Sequence, residues 1–358
     1  MAIEFFPVYD CAASERTRRL RFWLPLRELF PGLLESRTIV HSKVALSPLY
    51  SMDLSQSDLR RQLQLGEKTK LLMDSTGYQR MTLKSSGRMP DPIQVLRYQE
   101  RNMTDIAMTL DVPFRPEVTS LAEGWRRIKL SMKYATMALK ERSLPPMQLY
   151  CVIHAWDYLS ARKVSEEASH YDFDGYALGA PEPQNRQMAS TGYLEHLSQL
   201  LVAVKKAIGK RPLHVLGVGS LPALYLMGLI GVSSFDTLKY LHTAKYRAYL
   251  MPSGDVATVG LRSKSRRRLR DLPCACPVCS NVDVSIFSQD GSIPGALLAI
   301  HNLLTMKSYV STINSAIANN WFDDALERAV RLMPTLRRPV RWIKHHCKSE
   351  EHNIREGS

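Results

Sequence analysis

Three cysteines crowd into one short segment, Cys274-Ala-Cys276-Pro-Val-Cys279, and His301 follows downstream. Thiolates at this spacing in a chain of this size read as metal ligands rather than a disulfide framework, which belongs to small secreted domains. Three sulfurs and one imidazole complete a tetrahedral Zn²⁺ shell with no open position, so the metal would be structural. Cys11, Cys151 and Cys347 have no such company and read as packing or surface residues. The second chemical feature is a set of aspartates at strand ends. Lys-Leu-Leu-Met runs into Asp74, Ile-Ala-Met-Thr-Leu runs into Asp111, and Asp236 follows Gly231-Val-Ser-Ser-Phe. Any one of them could be a helix cap or a turn residue. Two carboxylates facing one another suit displacement at a sugar anomeric carbon. One attacks to give a covalent glycosyl-enzyme; the other protonates the leaving group and then deprotonates the incoming one.

Such carboxylates must be carried to one place by a scaffold. Short apolar runs at Lys70–Met73, Ile106–Leu110, Leu149–Ile153, Tyr176–Leu178 and Leu213–Leu216 alternate with helical patterns. Those patterns cover Pro92–Arg101, Leu121–Lys140, Tyr158–Ser169, Tyr193–Ile208 and Pro222–Leu229. Strands of this length between helices of ten or more residues predict βα units and a parallel sheet. Their recurrence over about residues 35–315 predicts an α/β fold, a closed (β/α)8 TIM barrel, whose strand C-termini converge on one mouth. A basic run, the cysteines and a Gly/Ser/Asp-rich stretch break that rhythm, predicting a zinc-binding subdomain near the C-terminus. The expected division is a barrel over 1–260, the zinc subdomain over 261–310, and a helical, basic tail over 311–358 completing the barrel. The last ten residues are expected to be loose.

The 358 residues are 45% hydrophobic, enough for a sizeable core and against disorder as the main state. The longest apolar stretch, around Leu221–Val232, is too short and too interrupted for a membrane span, and the first residues lack a secretory pattern. The expected compartment is the cytosol, that of the host if a phage encodes the chain. Lys and Arg outnumber Asp and Glu by 48 to 34, a formal charge of +14. The basic residues cluster at Arg16, Arg18, Arg19 and Arg21; at Arg262, Lys264, Arg266, Arg267, Arg268 and Arg270; and at Arg337, Arg338, Arg341, Lys344, His345 and His346. Together these clusters predict a phosphate-tracking surface and a nucleic-acid partner. A glycosidic bond to a nucleobase fits that surface, with the base flipped into the pocket.

Four segments in order carry a family resemblance over about residues 70–310. They are Asp74-Ser75-Thr76-Gly77-Tyr78-Gln79; Asp91-Pro92 through Tyr98-Gln99 to Asp111; Leu216-Gly217-Val218-Gly219 through Gly231 to Phe235-Asp236; and the cysteine cluster with His301-Asn302. The chain resembles the tRNA-guanine transglycosylase superfamily, whose members exchange guanine in nucleic acid for a 7-deazaguanine. The resemblance implies that Asp236 is the nucleophile at C1′ and Asp74 the general acid/base. It implies that Asp111 binds the Watson–Crick edge of the purine, whose N1–H and N2–H are donors to a carboxylate. Ser75 and Gln79 match pocket-lining positions, and Tyr78 and Leu216, followed by Gly217, match the residues that sandwich the base. Gly175-Tyr176-Ala177-Leu178-Gly179-Ala180 resembles a loop whose backbone contacts the base, with Gly179 and Ala180 at the contact. Homodimers through the zinc region are implied as well.

Three segments depart from the family pattern, the first being Thr76-Gly77, where the family has Gly-Gly after Asp-Ser. Ile153-His154-Ala155-Trp156 stands where the family has Val-Gln-Gly-Gly, so His154 replaces a glutamine that helps bind the base carbonyl. After Asp236 the family's Leu-Pro-Thr-Arg becomes Lys239-Tyr240-Leu241-His242 and runs on to Lys245 and Arg247, in a segment that in tRNA enzymes reads the anticodon loop. Retained acids with altered polynucleotide-reading segments resemble the DNA 7-deazaguanine transglycosylases of bacterial modification clusters and phages. The reading that follows is a DNA-guanine transglycosylase inserting a 7-cyano-7-deazaguanine, its partners DNA, free guanine and the free 7-deazaguanine. A tRNA-acting enzyme is one alternative; a non-catalytic nucleic-acid-binding homologue is the other.

Overall fold

The computed structural model describes residues 2–8, 43–46, 69–75, 77, 90–115, 119–143, 146–179, 190–258, 272–289 and 291–355. Eight strands form one sheet: β1 (Glu4–Pro7), β2 (Lys43–Leu46), β3 (Lys70–Met73), β4 (Ile106–Met108), β5 (Gln148–His154), β6 (Gly175–Gly179), β7 (Leu213–Leu216) and β8 (Ser234–Thr237). Their spatial order is β1-β8-β7-β6-β5-β4-β3-β2, and every neighbour pairing is parallel. The two end strands, β1 and β2, touch, so the sheet curls into a nearly closed barrel. This is the expected α/β barrel.

Period-two alternation divides each strand between two cores. Phe6, Leu72, Ile106, Met108, Tyr150, Val152 and Ala177 fill the barrel interior. The alternate residues, among them Phe5, Ala107, Leu149, Cys151, Ile153, Tyr176, Leu178, Leu213, Val215 and Phe235, pack outward under the helices. Burial on both faces explains why these strands read as continuous apolar runs.

The helices begin where a cap and the sequence agree. In α1 (Pro92–Arg101) the Asp91 side chain accepts from the N–H groups of Ile93 and Gln94, and Pro92 occupies the first turn. Ser120 caps α2 (Leu121–Glu141), and Asp157 forms a reciprocal cap with Ser160 on α3 (Tyr158–Ser169). Ser190 caps α4 (Thr191–Ile208), and Ser220 caps α5 (Leu221–Ile230), which ends on left-handed Gly231.

After β8 the chain leaves the alternation. Helix α6 (Lys239–Lys245) leads into an antiparallel hairpin, β9 (Ala248–Leu250) with β10 (Val256–Thr258). The cysteines sit around α7 (Pro277–Asn281), and His301 lies on α8 (Ser292–Ala318). Helices α9 (Phe322–Leu332) and α10 (Arg337–Arg355) follow, α10 packing on α4. Of the last ten residues, expected to be loose, those up to Arg355 continue α10, and residues 356–358 lie outside the described residues. No helix among the described residues is long and apolar enough to cross a membrane.

Candidate active site and metal centre

The inward positions at the C-terminal ends of the strands form the barrel mouth. Alternation from Leu72 brings Asp74 there; from Tyr150 and Val152, His154; from Ala177, Gly179; from His214, Leu216; and from Ser234, Asp236. Asp236 lies within β8, opposite Phe6 in register, rather than just past the strand end as the sequence suggested. The helix cap at Gly231 delays the strand by a few residues.

Asp236 is held through one oxygen. The Gly217 N–H donates to its Oδ1 at 3.1 Å, and His214 Nε2 approaches the same oxygen at 3.1 Å. Gly217 has φ 72°, a left-handed conformation that suits glycine and turns its N–H toward β8. Leu216, half-buried, pairs in register with Gly179.

Asp111 is 5% exposed, three residues past β4. Ser75 Oγ donates to its Oδ1, and His154 Nε2 donates to its Oδ2 at 2.6 Å. The carboxylate therefore serves neither as a helix cap nor as a turn residue. Its two oxygens are steadied from β3 and β5, and each keeps lone-pair capacity for a further donor. His154 Nε2 is engaged with Asp111, at the position where the family's glutamine helps bind the base carbonyl. Its ring leaves no room beside it: a Cβ on Gly179 would lie 2.3 Å from His154 Cε1. Phe114 flanks the ring, and Trp156 packs edge-on against Phe114 and Trp125 of α2.

Asp74 is half-buried, directly after β3. The ends of β3 and β4 are tied together by buried Gln99, whose side-chain amide donates to the carbonyls of Met73 at 3.3 Å and Met108 at 2.9 Å. This glutamine, His214 and Ser234 received no role in the sequence reading. The available signal was a polar residue at an inward position of an apolar strand, as in Leu-His-Val-Leu, where period two points His214 into the barrel. Tyr78, Gln79, Ala180 and the basic run Arg262–Arg270 lie outside the described residues. Lys245 is exposed at the end of α6, and Arg247 donates to the Gln289 carbonyl.

The metal centre is assembled from α7, the residues before it, and α8. The Sγ atoms of Cys274, Cys276 and Cys279 lie 3.6, 3.5 and 3.4 Å from His301 Nδ1. All four ligand atoms fall within 4.8 Å of one another. A tetrahedral zinc with ordinary Zn–S and Zn–N bonds requires S···N edges of about 3.5 Å, so the donor set fits the ion. His301 Nε2 faces the Leu250 carbonyl at 3.0 Å, which fixes the tautomer that leaves Nδ1 for the metal. His301 is fully buried and no ligand position is open, so the site suits a structural zinc.

Comparison with known proteins agrees with this geometry. The family model described as "Queuine tRNA-ribosyltransferase" matches residues 38–335. The chain is 27% identical over 260 residues to the tRNA-guanine(15) transglycosylase of Methanocaldococcus jannaschii, covering 72% of this chain and 38% of the relative. It is 28% identical over 264 residues to that of Methanococcus maripaludis strain C5, covering 71% and 38%. It is 27% identical over 257 residues to that of Archaeoglobus fulgidus, covering 71% and 50%. The matched part thus spans half or less of these relatives' length.

Proposed function

This chain belongs to the queuine tRNA-ribosyltransferase family; from that premise we propose that it is a base-exchanging pentosyltransferase, which replaces guanine in a polynucleotide with a 7-deazaguanine through its own carboxylates. Asp236 attacks C1′, the C1′–N9 bond breaks, and the departing guanine takes a proton from Asp74. The incoming base then gives its N9 proton to Asp74, forms the new C1′–N9 bond and releases Asp236. Asp111, with Ser75 and His154 behind it, receives the N1–H and N2–H donors of either purine, and Leu216 covers a face of the ring. One N-glycosidic bond replaces another, so the exchange needs no energy source. It does need water kept from the glycosyl-enzyme, which a filled purine slot provides.

The observation that carries this reading is the way Asp236 and Asp111 are held. Asp236 is fixed through one oxygen by Gly217 and His214, while Asp111 is 5% exposed with both oxygens engaged. A non-catalytic homologue has no use for a carboxylate kept in that state. Of the two polynucleotides, tRNA is favoured by the relatives named above, each a tRNA-guanine(15) transglycosylase by name. DNA is the second reading, favoured by the segment after Asp236 and by His154, where the chain leaves the pattern of tRNA enzymes.

One assay separates them. Radiolabelled guanine is supplied with unmodified tRNA or with duplex DNA, and acid-precipitable label is counted. We expect label in tRNA and none with Asp236→Ala; label in DNA alone selects the second reading. Label entering neither, or activity surviving Asp236→Ala, rejects the mechanism.

A further inference from the structure

Strand β7 is Leu-His-Val-Leu, and its alternation sends Leu213 and Val215 outward into the core beneath the helices. His214 goes the other way. It has no exposed surface, lies edge-on to Phe6 inside the barrel, and sits one layer below the mouth. Strand β8 sends Ser234 and Asp236 inward beside it, and His214 pairs with Ser234 in register. The imidazole therefore has two polar neighbours. Nδ1 is 2.8 Å from Ser234 Oγ, and Nε2 is 3.1 Å from Asp236 Oδ1.

The chemistry of the partners orders this chain. A carboxylate only accepts, so Nε2 must carry the proton. In the neutral ring Nδ1 is then an acceptor, and the Ser234 hydroxyl, which can rotate to suit, donates to it. Ser234 thereby sets the tautomer, and the tautomer sets the bond to Asp236. The Gly217 N–H reaches the same oxygen at 3.1 Å. Two donors thus converge on Oδ1, while Oδ2 takes no hydrogen bond among the described residues.

We propose that His214, its tautomer fixed by Ser234, is a positioning residue that holds Asp236 through Oδ1 so that Oδ2 is the atom bonding to the sugar. The inference rests on the base-exchange reading above. In the first step the Oδ2 electron pair forms the C1′–Oδ2 bond as the C1′–N9 pair leaves with the purine. Oδ1 becomes the carbonyl oxygen of the ester and keeps both donors. In the second step the C1′–Oδ2 pair returns to the carboxylate as the new base bonds, and the same two donors stabilise the charge that spreads back onto Oδ1. One fixed geometry serves both directions, which an exchange through a single carboxylate requires.

The test uses full-length, zinc-replete protein and the variants His214→Leu, His214→Gln and Ser234→Ala. Glutamine can present an N–H to Asp236 and its carbonyl to Ser234; leucine can do neither. Guanine exchange is measured on whichever nucleic acid the wild type labels, and thermal unfolding and zinc content show that each variant is folded. We expect His214→Leu to lose about 100-fold in kcat with little change in KM, and His214→Gln to recover most of that loss. Ser234→Ala should fall between them. Independently of activity, ¹⁵N spectra of histidine-labelled protein, with the His214 signals found by difference from His214→Gln, should show Nε2 protonated and Nδ1 bare. A His214→Leu kcat equal to wild type, or a His214 ring protonated at Nδ1, overturns the proposal. Because the nitrogen spectra need no substrate, a wild type that exchanges no base defeats the functional reading while the tautomer still decides the geometry.

Discussion

At the scale of single residues, Lys239 and Gly179 give sharp expectations. Lys239 opens α6 three residues after Asp236, and burial pushes its ammonium down to about 8 from the usual 10.5. The unfolded chain therefore binds that proton more tightly than the folded one. Below pH 8 the lysine is charged in both states and the folded state bears the whole cost; between pH 8 and 10.5 the cost fades as the folded lysine loses its proton. Lys239→Met should accordingly stabilise the protein by about 1–3 kcal/mol at pH 7. The gap between variant and parent should close by pH 10.5, the ordinary lysine value. Parallel urea unfolding curves across that range check it, and a gap that widens with pH contradicts the burial argument. Gly179 gives the second expectation. A methyl group there would sit 2.3 Å from His154 Cε1 and 2.5 Å from Nδ1, so Gly179→Ala must push the imidazole off Asp111. Overpacking of this kind costs about 1–3 kcal/mol. Calorimetric titration with free guanine should show binding about 10- to 100-fold weaker, at nearly unchanged zinc content. Neither feature was open to a reading of residue types. The carboxylates were legible because an acid ending an apolar strand is conspicuous. His214, Ser234 and Gln99 were not, because their partners come from other strands or helices and only the register brings them together.

At the scale of elements, α8 joins three parts of the molecule. It supplies His301 to the metal centre. It supplies Asn302, whose Oδ1 accepts from Leu250 N–H at 2.7 Å while Nδ2 donates to the Tyr240 and Ala248 carbonyls. It supplies Asn314, which accepts from Ile3 N–H at 2.7 Å and donates to the Ile3 carbonyl at 2.9 Å, holding the residue before β1. Since β1 pairs with β8, the helix ties the metal centre to the strand that carries Asp236. Removing the metal should therefore be felt beyond the cysteines. His301→Ala should abolish bound zinc, measured by atomic absorption. It should lower Tm by about 4–7 °C, as expected for a loss of about 3–5 kcal/mol in a chain of this size. An unchanged Tm would mean that the ligand cluster is a separate annex. The same elements mark how far pattern reading reaches. Strands β3 and β7 and helices α1 and α3 were legible to the residue, because doubly buried apolar runs end at Asp or Gly and the helices open with Asp caps. Strand β1 was not. Glu-Phe-Phe-Pro is four residues long, and its place depends on Asn314, some three hundred positions away. The hairpin β9–β10 has three residues per strand, too few for a period to show.

At the scale of the whole molecule the formal charge of +14 is the dominant fact, and its distribution decides what it does. The C-terminal cluster on α10 is partly spent within the protein: Lys344 lies 3.5 Å from Asp323, Arg338 lies 4.0 Å from Glu195, and His346 stacks on Trp342. Exposed pairs like these are weak, yet they draw positive charge away from a ligand. The clusters at Arg16–Arg21 and Arg262–Arg270 lie outside the described residues, and the second precedes the metal centre in the chain. If Arg262, Lys264, Arg266, Arg267, Arg268 and Arg270 each meet one phosphate, replacing all six with alanine should flatten the plot of log affinity against log salt. The change in slope should be about 4 on single-stranded RNA and about 5 on duplex DNA, since each contact releases roughly 0.7 or 0.9 of a counterion. Replacing Arg337, Arg338 and Arg341 should change it by less than half as much. Fluorescence anisotropy with a single-stranded RNA and a short DNA duplex, titrated between about 50 and 400 mM KCl, about the range over which such contacts are screened, measures both slopes. The ligand whose slope collapses in the six-residue variant is the one this cluster was built to hold, and equal flattening by the α10 variant would contradict a leading role for the Arg262–Arg270 cluster.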